Sequence, residues 1–321
     1  MKPRVGIPRA LLYYNYFPLW EVFFKELGAE VVLSGLTNKK ILDDGVNCCV
    51  DDACLPMKVF HGHIIELKDR VDYLFVPRLI SVERNEYICP KFCGLPDMVL
   101  NSVKDLPTVI DCTINLRNSS SSLRRAVLDV GRLFTGDYRR IYTAYRKAVL
   151  CLESFEGLME KGATPLEAMK GDYSKAGEYH YSIGLIGHPY NIYDNYMSMR
   201  IIDKLRDRGV NVITQDMICS NELDRIARDF SKPMFWSFGK SIMAASRYLI
   251  DKRHVKGIIY LVAFGCGLDA LVGDLVERRI RKKGIPFCLL TIDEHTGEAG
   301  IDTRLEAFID MLEWGGDAEC W

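Results

Sequence analysis

The chain has 321 residues, of which 48% are hydrophobic, and its 42 lysines and arginines nearly balance its 43 aspartates and glutamates. A chain of this length suggests about two domains and buries enough surface to hold a core without disulfides. The near-zero net charge gives no electrostatic reason to bind nucleic acid or an anionic membrane, so neither is an expected partner.

Short β-branched runs alternate with helix-length segments along most of the chain. Strands are predicted at residues 4–7, 30–34, 47–50, 73–76 and 108–111 in the first half, and at 182–186, 210–215, 257–264 and 287–292 in the second. Helices are predicted at residues 19–27, 57–68, 197–208, 268–283 and 304–312. This alternation predicts an α/β fold with parallel sheets that are covered on both faces.

The middle of the chain, residues 123–169, has a different pattern. Its apolar residues recur near helical spacing with charged residues between them, which predicts a helical connector. We therefore predict an N-terminal α/β lobe at residues 1–118, a helical connector at 119–172 and a C-terminal α/β lobe at 173–321.

The two halves begin alike. VGIP at residues 5–8 and GLIGHP at 184–189 open them, and LGAEVV at 27–32 and RGVNVI at 208–213 supply the second strand of each. These patterns predict a two-fold internal repeat. Two such lobes that face each other would enclose a cleft lined by the loops at the carboxyl ends of their strands.

The first residues lack the continuous apolar stretch of a signal peptide, because prolines and arginines interrupt them. No run approaches the ~18 to 20 apolar residues of a membrane span. A cytoplasmic location is therefore expected, and in that reducing compartment the eleven cysteines point to metal binding or catalysis rather than disulfides.

Cys54, Cys89 and Cys266 are each expected to lie between a strand end and a helix start. A helix start favours the thiolate form, and the glycines beside Cys266 allow a bulky ligand to approach. Thiolates that converge in a reduced cell typically hold iron–sulfur clusters. Three such ligands would leave one iron of a cubane open to substrate, water or a bridging sulfide.

Any one of the cysteines could instead be a small buried hydrophobe, and this is the expectation for Cys48, Cys112, Cys151 and Cys288. The roles of Cys49, Cys93 and Cys219 stay open, and Cys320 in the terminal segment is expected to have none. The sequence contains no C-x-x-C pair, which argues against a zinc ribbon, a thioredoxin motif and ferredoxin spacings.

Two polar groups are further candidates. Lys58 and His63 follow Cys54 on a predicted helix, and residues 293–298 place Glu294 and His295 in a loop after a predicted strand. Acid–base work is one interpretation of the loop, and a solvated turn before a helix that Asp302 or Thr303 would cap is the other. Neither G-x-G-x-x-G nor G-x-x-x-x-G-K-[ST] occurs, so no motif predicts dinucleotide or nucleotide binding.

Several of these motifs together resemble the acyl-CoA dehydratase activase-related proteins. The resemblance is carried by VGIPR at 5–9, CLPMK at 54–58 with GH at 62–63, CP at 89–90, FGCG at 264–267, and residues 291–308. That family stands with the 2-hydroxyacyl-CoA dehydratase and benzoyl-CoA reductase subunits and the double-cubane cluster proteins. The resemblance implies two Rossmann-like α/β lobes around a [4Fe–4S] or double-cubane cluster, with Cys54, Cys89 and Cys266 as its ligands.

The resulting prediction is an iron–sulfur protein of the 2-hydroxyacyl-CoA dehydratase component type. Its cluster would carry a low-potential electron, with Lys58, His63, Glu294 and His295 as catalytic candidates. The resemblance also implies a small-molecule or acyl-CoA substrate, a separate ATP-dependent activator protein and a homodimer. The alternatives are a non-catalytic electron carrier or accessory subunit that docks on an ATPase activator, and a cluster-free small-molecule binder or zinc protein.

Overall fold

The computed structural model describes residues 1–171, 179–253 and 255–314. The chain divides into two units, Met1–Tyr173 with Met234–Phe238 and Ser174–Pro233 with Gly239–Trp321. The predicted boundary between residues 172 and 173 lies outside the described residues, as does Cys320. No helix in the described part of the chain has the length and apolar character that crossing a bilayer requires.

The described residues form strands and helices in alternation. The strands are β1 (Arg4–Ile7), β2 (Glu30–Leu33), β3 (Tyr73–Phe75), β4 (Arg78–Ser81), β5 (Thr108–Ile110), β6 (Thr113–Asn115), β7 (Tyr181–Gly187), β8 (Val210–Thr214), β9 (Gly257–Ala263) and β10 (Phe287–Ile292). The helices are α1 (Tyr13–Glu26), α2 (Lys39–Cys48), α3 (Leu55–Leu67), α4 (Pro90–Ser102), α5 (Ser121–Arg132), α6 (Tyr138–Glu160), α7 (Pro165–Lys170), α8 (Pro189–Tyr193), α9 (Ile201–Arg206), α10 (Ser220–Arg228), α11 (Ser237–Tyr248), α12 (Gly267–Lys282) and α13 (Glu298–Trp314).

Each unit contains a four-stranded sheet, and every strand pairing in both sheets is parallel. The strand order is β2-β1-β3-β5 in the first sheet and β10-β9-β7-β8 in the second. In both sheets the first strand of the half lies between the second and the third, with the fourth at the edge. The parallel α/β fold class is thus confirmed, and the shared order agrees with the predicted repeat.

Burial of the strands follows from this architecture. Every residue of β9, from Gly257 to Ala263, is buried, as expected for a central parallel strand that helices cover on both faces. The predicted bounds of β1 and β10 match the structure, and the other strands of the two sheets differ from prediction by one residue at one or both ends.

A short third sheet pairs β4 with β6, also in parallel. Two residues separate the end of β3 from the start of β4, and two separate the end of β5 from the start of β6. Pro77 is one of the two residues between β3 and β4. Proline has no N–H to donate to the ladder, so the pairing is interrupted there and resumes at Arg78, whose N–H bonds the carbonyl of Cys112 at 3.0 Å. The sequence patterns did not predict this sheet.

Two predicted elements are wrong. Residues 47–50 are not a strand, because α2 runs to Cys48 with its buried residues at helical spacing and Asn38 capping its start. Cys54 therefore follows a helix and a turn rather than a strand. The helix predicted at 197–208 is confined to α9, since Met199 and Arg200 adopt left-handed φ angles of 53° and 57° that a helix does not accept.

Helices α2 and α3 approach each other at two glycines. A methyl group on Gly62 would overlap the carbonyl oxygen of Ile41, and one on Gly45 would overlap that of Lys58. The backbones are thus nearly in contact, and most of α3 is buried, including Lys58 and His63. This contact fixes the helix that begins directly after Cys54.

The predicted connector consists of α5, α6 and α7, and α6 packs along α1. Lys147 of α6 forms an ion pair with Glu26 at 2.8 Å, and Arg140 donates to the Glu26 carbonyl at 3.2 Å. These helices therefore form part of the first unit.

Replacing Gly62 with alanine should lower the free energy of unfolding by about 1 to 3 kcal/mol, because the added methyl group must displace packed backbone. Urea denaturation measures the change. Gly157→Ala in α6 is the control, since its methyl group would meet nothing within 4 Å. That substitution should stabilise by up to about 1 kcal/mol, and an equal effect of the two variants would contradict the close contact.

Candidate functional site

The carboxyl ends of β7 and β9 bring three side chains of different chemistry together. His188 follows β7 directly, and Cys266 and Asp269 lie at the start of α12, which follows β9. Gly187 has a φ of +148°, and a methyl group there would overlap the carbonyl oxygen of Leu261 in β9. Glycine thus lets the two strands stay close at the point where His188 begins.

The three side chains converge within a short distance. One ligand atom from each of His188, Cys266 and Asp269 lies within 4.8 Å of the other two. His188 Nε2 is 3.3 Å from Asp269 Oδ1 and 3.8 Å from Cys266 Sγ. A metal ion could be held by three or more His, Cys, Asp or Glu side chains that lie this close together. Among the described residues, these three form the group that meets this condition.

Neighbouring aromatic residues hold the cluster in position. The Tyr260 hydroxyl donates to Asp269 Oδ1 at 2.8 Å, and the His188 ring stacks on Tyr190 with a centroid distance of 4.9 Å. His188 and Asp269 are only 1% and 5% exposed, whereas Cys266 is half-buried. The thiol is therefore the part of the cluster that solvent reaches.

The buried charges of the site stabilise each other. Burial alone would lower the pKa of His188, but the carboxylate of Asp269 and the Cys266 thiol outweigh it and raise the pKa to about 10. Burial opposes ionisation of Asp269, yet the His188 cation and the Tyr260 hydroxyl hold its pKa below the usual value. Burial and the Asp269 charge raise the pKa of Tyr260, which stays a neutral donor. The site therefore holds an imidazolium–carboxylate pair beside a thiol.

This geometry differs from a nucleophile–histidine–acid triad. In a triad the two imidazole nitrogens face opposite partners, so that one accepts the proton of the nucleophile while the other donates to the acid. Here Nε2 faces both the thiol and the carboxylate. Three ligand atoms that point at one region are typical of a metal site. Thiolate, imidazole and carboxylate are the ligands that proteins use for zinc and iron.

The buried polar atoms around His188, Cys266 and Asp269 are compatible with a bound metal ion. The second carboxylate oxygen of Asp269, Oδ2, is buried and makes no hydrogen bond in the protein, and the same holds for both amide atoms of Asn191, three residues after His188. Buried polar atoms normally have partners, so such orphaned atoms call for an explanation. A metal at this cluster would supply one for the Asp269 oxygen.

The structure places Cys54 and Cys89 in the first unit, each directly before a helix. Cys54 precedes α3 and Cys89 precedes α4, in both cases with proline in the first turn. Within the described residues, neither belongs to a group of three metal-type ligands. Their meeting with Cys266, which lies in the second unit, stays a prediction.

Lys58 and His63 lie on α3 and are buried, with 3% and 0% exposure. His63 Nε2 is 3.0 Å from the Thr37 hydroxyl, and burial, aided by the charge of Arg9, lowers the pKa of His63 to about 3. This imidazole is therefore neutral. The charge of Lys58 acts on the Cys49 thiol, where it opposes a raised pKa.

Three cysteines were left open by the sequence. Cys49 is adjacent to Cys48, and the hydrogen bond between them lowers the pKa of Cys48 to about 7 while raising that of Cys49. Cys93 lies in α4, and Cys219 directly precedes α10. Cys219 thus has the same place relative to a helix as Cys54, Cys89 and Cys266.

The polar loop after β10 forms a hydrogen-bonded turn. The Asp293 carboxylate accepts from the Thr296 hydroxyl at 2.7 Å and from the His295 N–H at 2.9 Å. Glu294 is half-buried and His295 is exposed. Neither Asp302 nor Thr303 caps a helix, as α13 already begins at Glu298, and Asp302 pairs with Lys204 at 2.5 Å. The catalytic role of Glu294 and His295 stays a prediction.

Sequence reasoning found Cys266 but missed His188, Asp269 and Tyr260 as parts of one site. The available signal was position: His188 follows one predicted strand, and Asp269 comes three residues after Cys266, which follows another. Only the adjacency of β7 and β9 makes these positions neighbours.

The fold and the site define a class: a parallel α/β protein with a thiol, an imidazole and a carboxylate gathered where two strands end. Residues 4–218 match the family described as the CoA enzyme activase uncharacterised domain, and the chain belongs to that family. This confirms the resemblance to the acyl-CoA dehydratase activase-related proteins. The match includes Cys54, Cys89 and His188, whereas Cys266 and Asp269 follow it. No curated protein matches the chain.

The substitution Asp269→Asn should lower the free energy of unfolding by about 3 kcal/mol, because it removes the counter-charge of a buried imidazolium. Asp274→Asn on the same helix is the matched control, since Asp274 pairs with Arg278 at 2.9 Å while 56% exposed. Its loss should stay below about 1 kcal/mol. Urea denaturation measures both, and similar losses would show that the buried pair contributes no more than a surface one.

Proposed function

We propose that the chain is an iron–sulfur protein of the 2-hydroxyacyl-CoA dehydratase component type that carries single electrons at low potential for CoA-ester chemistry. Membership in a CoA enzyme activase family supports a role with an enzyme of this kind. Cys54, Cys89 and Cys266 are the proposed ligands of the cluster, and each directly precedes a helix. Partial positive charge at a helix start stabilises a thiolate.

The observation that carries the proposal is the environment of Cys266. Its side chain is half-buried, and the next residue, Gly267, has open space where a methyl group would meet nothing within 4 Å. His188 Nε2 lies 3.8 Å from the sulfur, within reach of a hydrogen bond. Hydrogen bonds to ligand sulfur are one of the means by which a protein sets the potential of a cluster.

A bound cluster would supply one-electron transfer, and the surrounding residues have distinct tasks. His188 donates toward the Cys266 sulfur, Asp269 orients and charges the imidazole, and Tyr260 holds Asp269 through its hydroxyl. Burial excludes water from this pair, which strengthens the interactions among the charges. Lys58 and His63, on the helix after Cys54, and Glu294 and His295, in the loop after β10, are the proposed catalytic residues.

The proposal includes an acyl-CoA or other small substrate, a separate ATP-dependent activator protein and a homodimer. It also includes the three-part division at residues 1–118, 119–172 and 173–321.

A second candidate rests on the His188, Cys266 and Asp269 cluster itself. With the Nε2 proton of His188 lost, these residues would hold one ion without Cys54 or Cys89, as in sites with three protein ligands and an open fourth position. The chain would then be a zinc or mononuclear iron protein. The observation in its favour is that the three ligand atoms already lie within 4.8 Å of one another.

Metal analysis of single variants separates the two candidates. Purified without oxygen, the chain should contain roughly four irons with matching sulfide, the content of one cubane. Cys54→Ser, Cys89→Ser and Cys266→Ser should each abolish most of that iron, whereas His188→Ala should retain it. Cys288→Ser is the control, because burial raises the pKa of this thiol and it is not a proposed ligand.

A single zinc or iron ion that is lost in His188→Ala and Cys266→Ser but kept in Cys54→Ser and Cys89→Ser would support the second candidate. Protein without metal in every variant would contradict both.

Turnover distinguishes a dehydratase component from an electron carrier. The chain is reduced with titanium(III) citrate and followed by EPR. On mixing with a 2-hydroxyacyl-CoA its signal should fall and then return as the unsaturated product forms, because dehydration consumes no net electron. Loss of the signal without product would favour the carrier, and a signal unchanged by the CoA ester and by an ATP-dependent activator would contradict an electron-transfer role.

A further inference from the structure

The first unit contains an apolar cavity of about 300 Å³ that the metal-site proposals do not use. Helix α1 forms one wall with Tyr16 and Trp20, the strand residue Phe75 lies at its base, and α5 and α6 close it with Val127 and Val149. Several of these side chains, including Trp20 and Val127, are only half-buried, so the cavity opens to solvent. Its volume falls at the lower end of the range for small-molecule sites.

The cavity lining carries no formal charge. Its residues are aliphatic or aromatic, and the polar groups among them are the hydroxyls of Tyr16 and Tyr145, the thiol of Cys112 and the indole of Trp20. Burial raises the pKa of Cys112 to about 12, and it also raises the pKa of Tyr16 and Tyr145. The lining is therefore neutral near pH 7.

The carboxylates near Tyr16 disfavour an anion at that end of the cavity. The carboxylates of Glu83 and Glu156 lie close enough to Tyr16 to raise its pKa further, after burial. A ligand with a carboxylate at this side would be repelled, whereas an uncharged one would not.

We propose that this cavity binds the uncharged hydrocarbon chain of a small molecule. The neutral lining, the acidic surroundings of Tyr16 and the volume together fit such a chain. A concave site with apolar walls gains free energy from each methylene group that it removes from water. This inference is independent of the metal centre.

Calorimetric titration of the wild-type chain with 1-hexanol, 1-octanol and 1-decanol tests the proposal. Binding should be saturable at one site, and the Kd should fall by about fourfold for each added methylene, which corresponds to about 0.8 kcal/mol. Decanoate should bind more weakly than 1-decanol. The absence of saturable binding, or an affinity that does not depend on chain length, would overturn the proposal.

The fluorescence of Trp20 locates the bound chain. The brominated alcohol 11-bromo-1-undecanol should quench tryptophan emission, and Trp20→Phe should remove most of that quenching, because Trp20 is the tryptophan that lines the cavity in the described part of the chain. Undiminished quenching in Trp20→Phe would place the alcohol elsewhere and contradict the assignment. This measurement needs no variant that alters the packing of α5.

Two neighbouring substitutions on α5 provide a matched pair. Val127 lines the cavity and Leu128 does not, and both are half-buried. In Val127→Phe the ring would take the place of roughly two methylene groups of the ligand, so the Kd of 1-decanol should rise by about fifteenfold. Leu128→Phe should leave it unchanged, and equal effects of the two variants would count against binding in this cavity.

The neutral thioester S-decanoyl-N-acetylcysteamine distinguishes two sources of the chain. Tighter binding than that of 1-decanol, with the same sensitivity to Val127→Phe, would assign an acyl thioester. Equal affinity would assign a free lipid-like chain. Binding of neither compound would overturn the proposal.

Discussion

The ion pair between His188 and Asp269 determines the chemistry available at the carboxyl ends of β7 and β9. Two ionisable side chains lie almost fully out of water at the ends of adjacent strands, where each would be costly to charge alone. Each makes the charge of the other tolerable, and Tyr260 adds a hydrogen bond to the carboxylate. The pair in turn fixes the imidazole nitrogen that faces Cys266. The chemistry available to that thiol therefore depends on a salt bridge that solvent scarcely reaches.

The first unit offers a contrast in how a site residue is positioned. Cys54 owes its place to the packing of α2 against α3, where two glycines allow backbone to meet backbone. Lys58 and His63 are enclosed by the same packing. In the second unit an ion pair positions the imidazole beside Cys266. In the first unit, close packing of backbone holds the helix that Cys54 precedes.

Much of the fold follows from local pattern. Apolar β-branched runs such as those of β1 and β9 are read correctly because a parallel strand buried on both faces leaves a continuous apolar stretch. The error at residues 47–50 has the opposite origin: four residues with two cysteines and a valine look like a strand, but Ile41, Leu42 and Gly45 upstream already set a helical period. The sheet of β4 and β6 escaped prediction because only two residues separate each of its strands from the end of another strand, with no helix-length segment between them.

The candidate site, too, could be predicted from the sequence only in part. Cys266 is visible in the sequence because glycines flank it and a helix pattern follows. His188 and Asp269 are separated by 81 residues, as their numbers show, and nothing in either local segment indicates the other. Their meeting is a property of strand order, which parallel crossovers set over long distances. The burial of His63 likewise arises from tertiary packing rather than from its own helix pattern.

Residues 234–238 lie in the second half of the sequence but belong to the first unit, so they constrain the order in which the chain can assemble. Phe235 accepts a hydrogen bond from the N–H of Tyr87 and stacks on its ring, and Ser237 donates to the Tyr87 carbonyl at 3.0 Å. A ribosome that has released only the first 173 residues has not yet made these partners. The N-terminal unit becomes complete only after α10, deep in the other half of the chain, has emerged, so cutting the polypeptide between the halves would leave its earlier part with an unfinished edge.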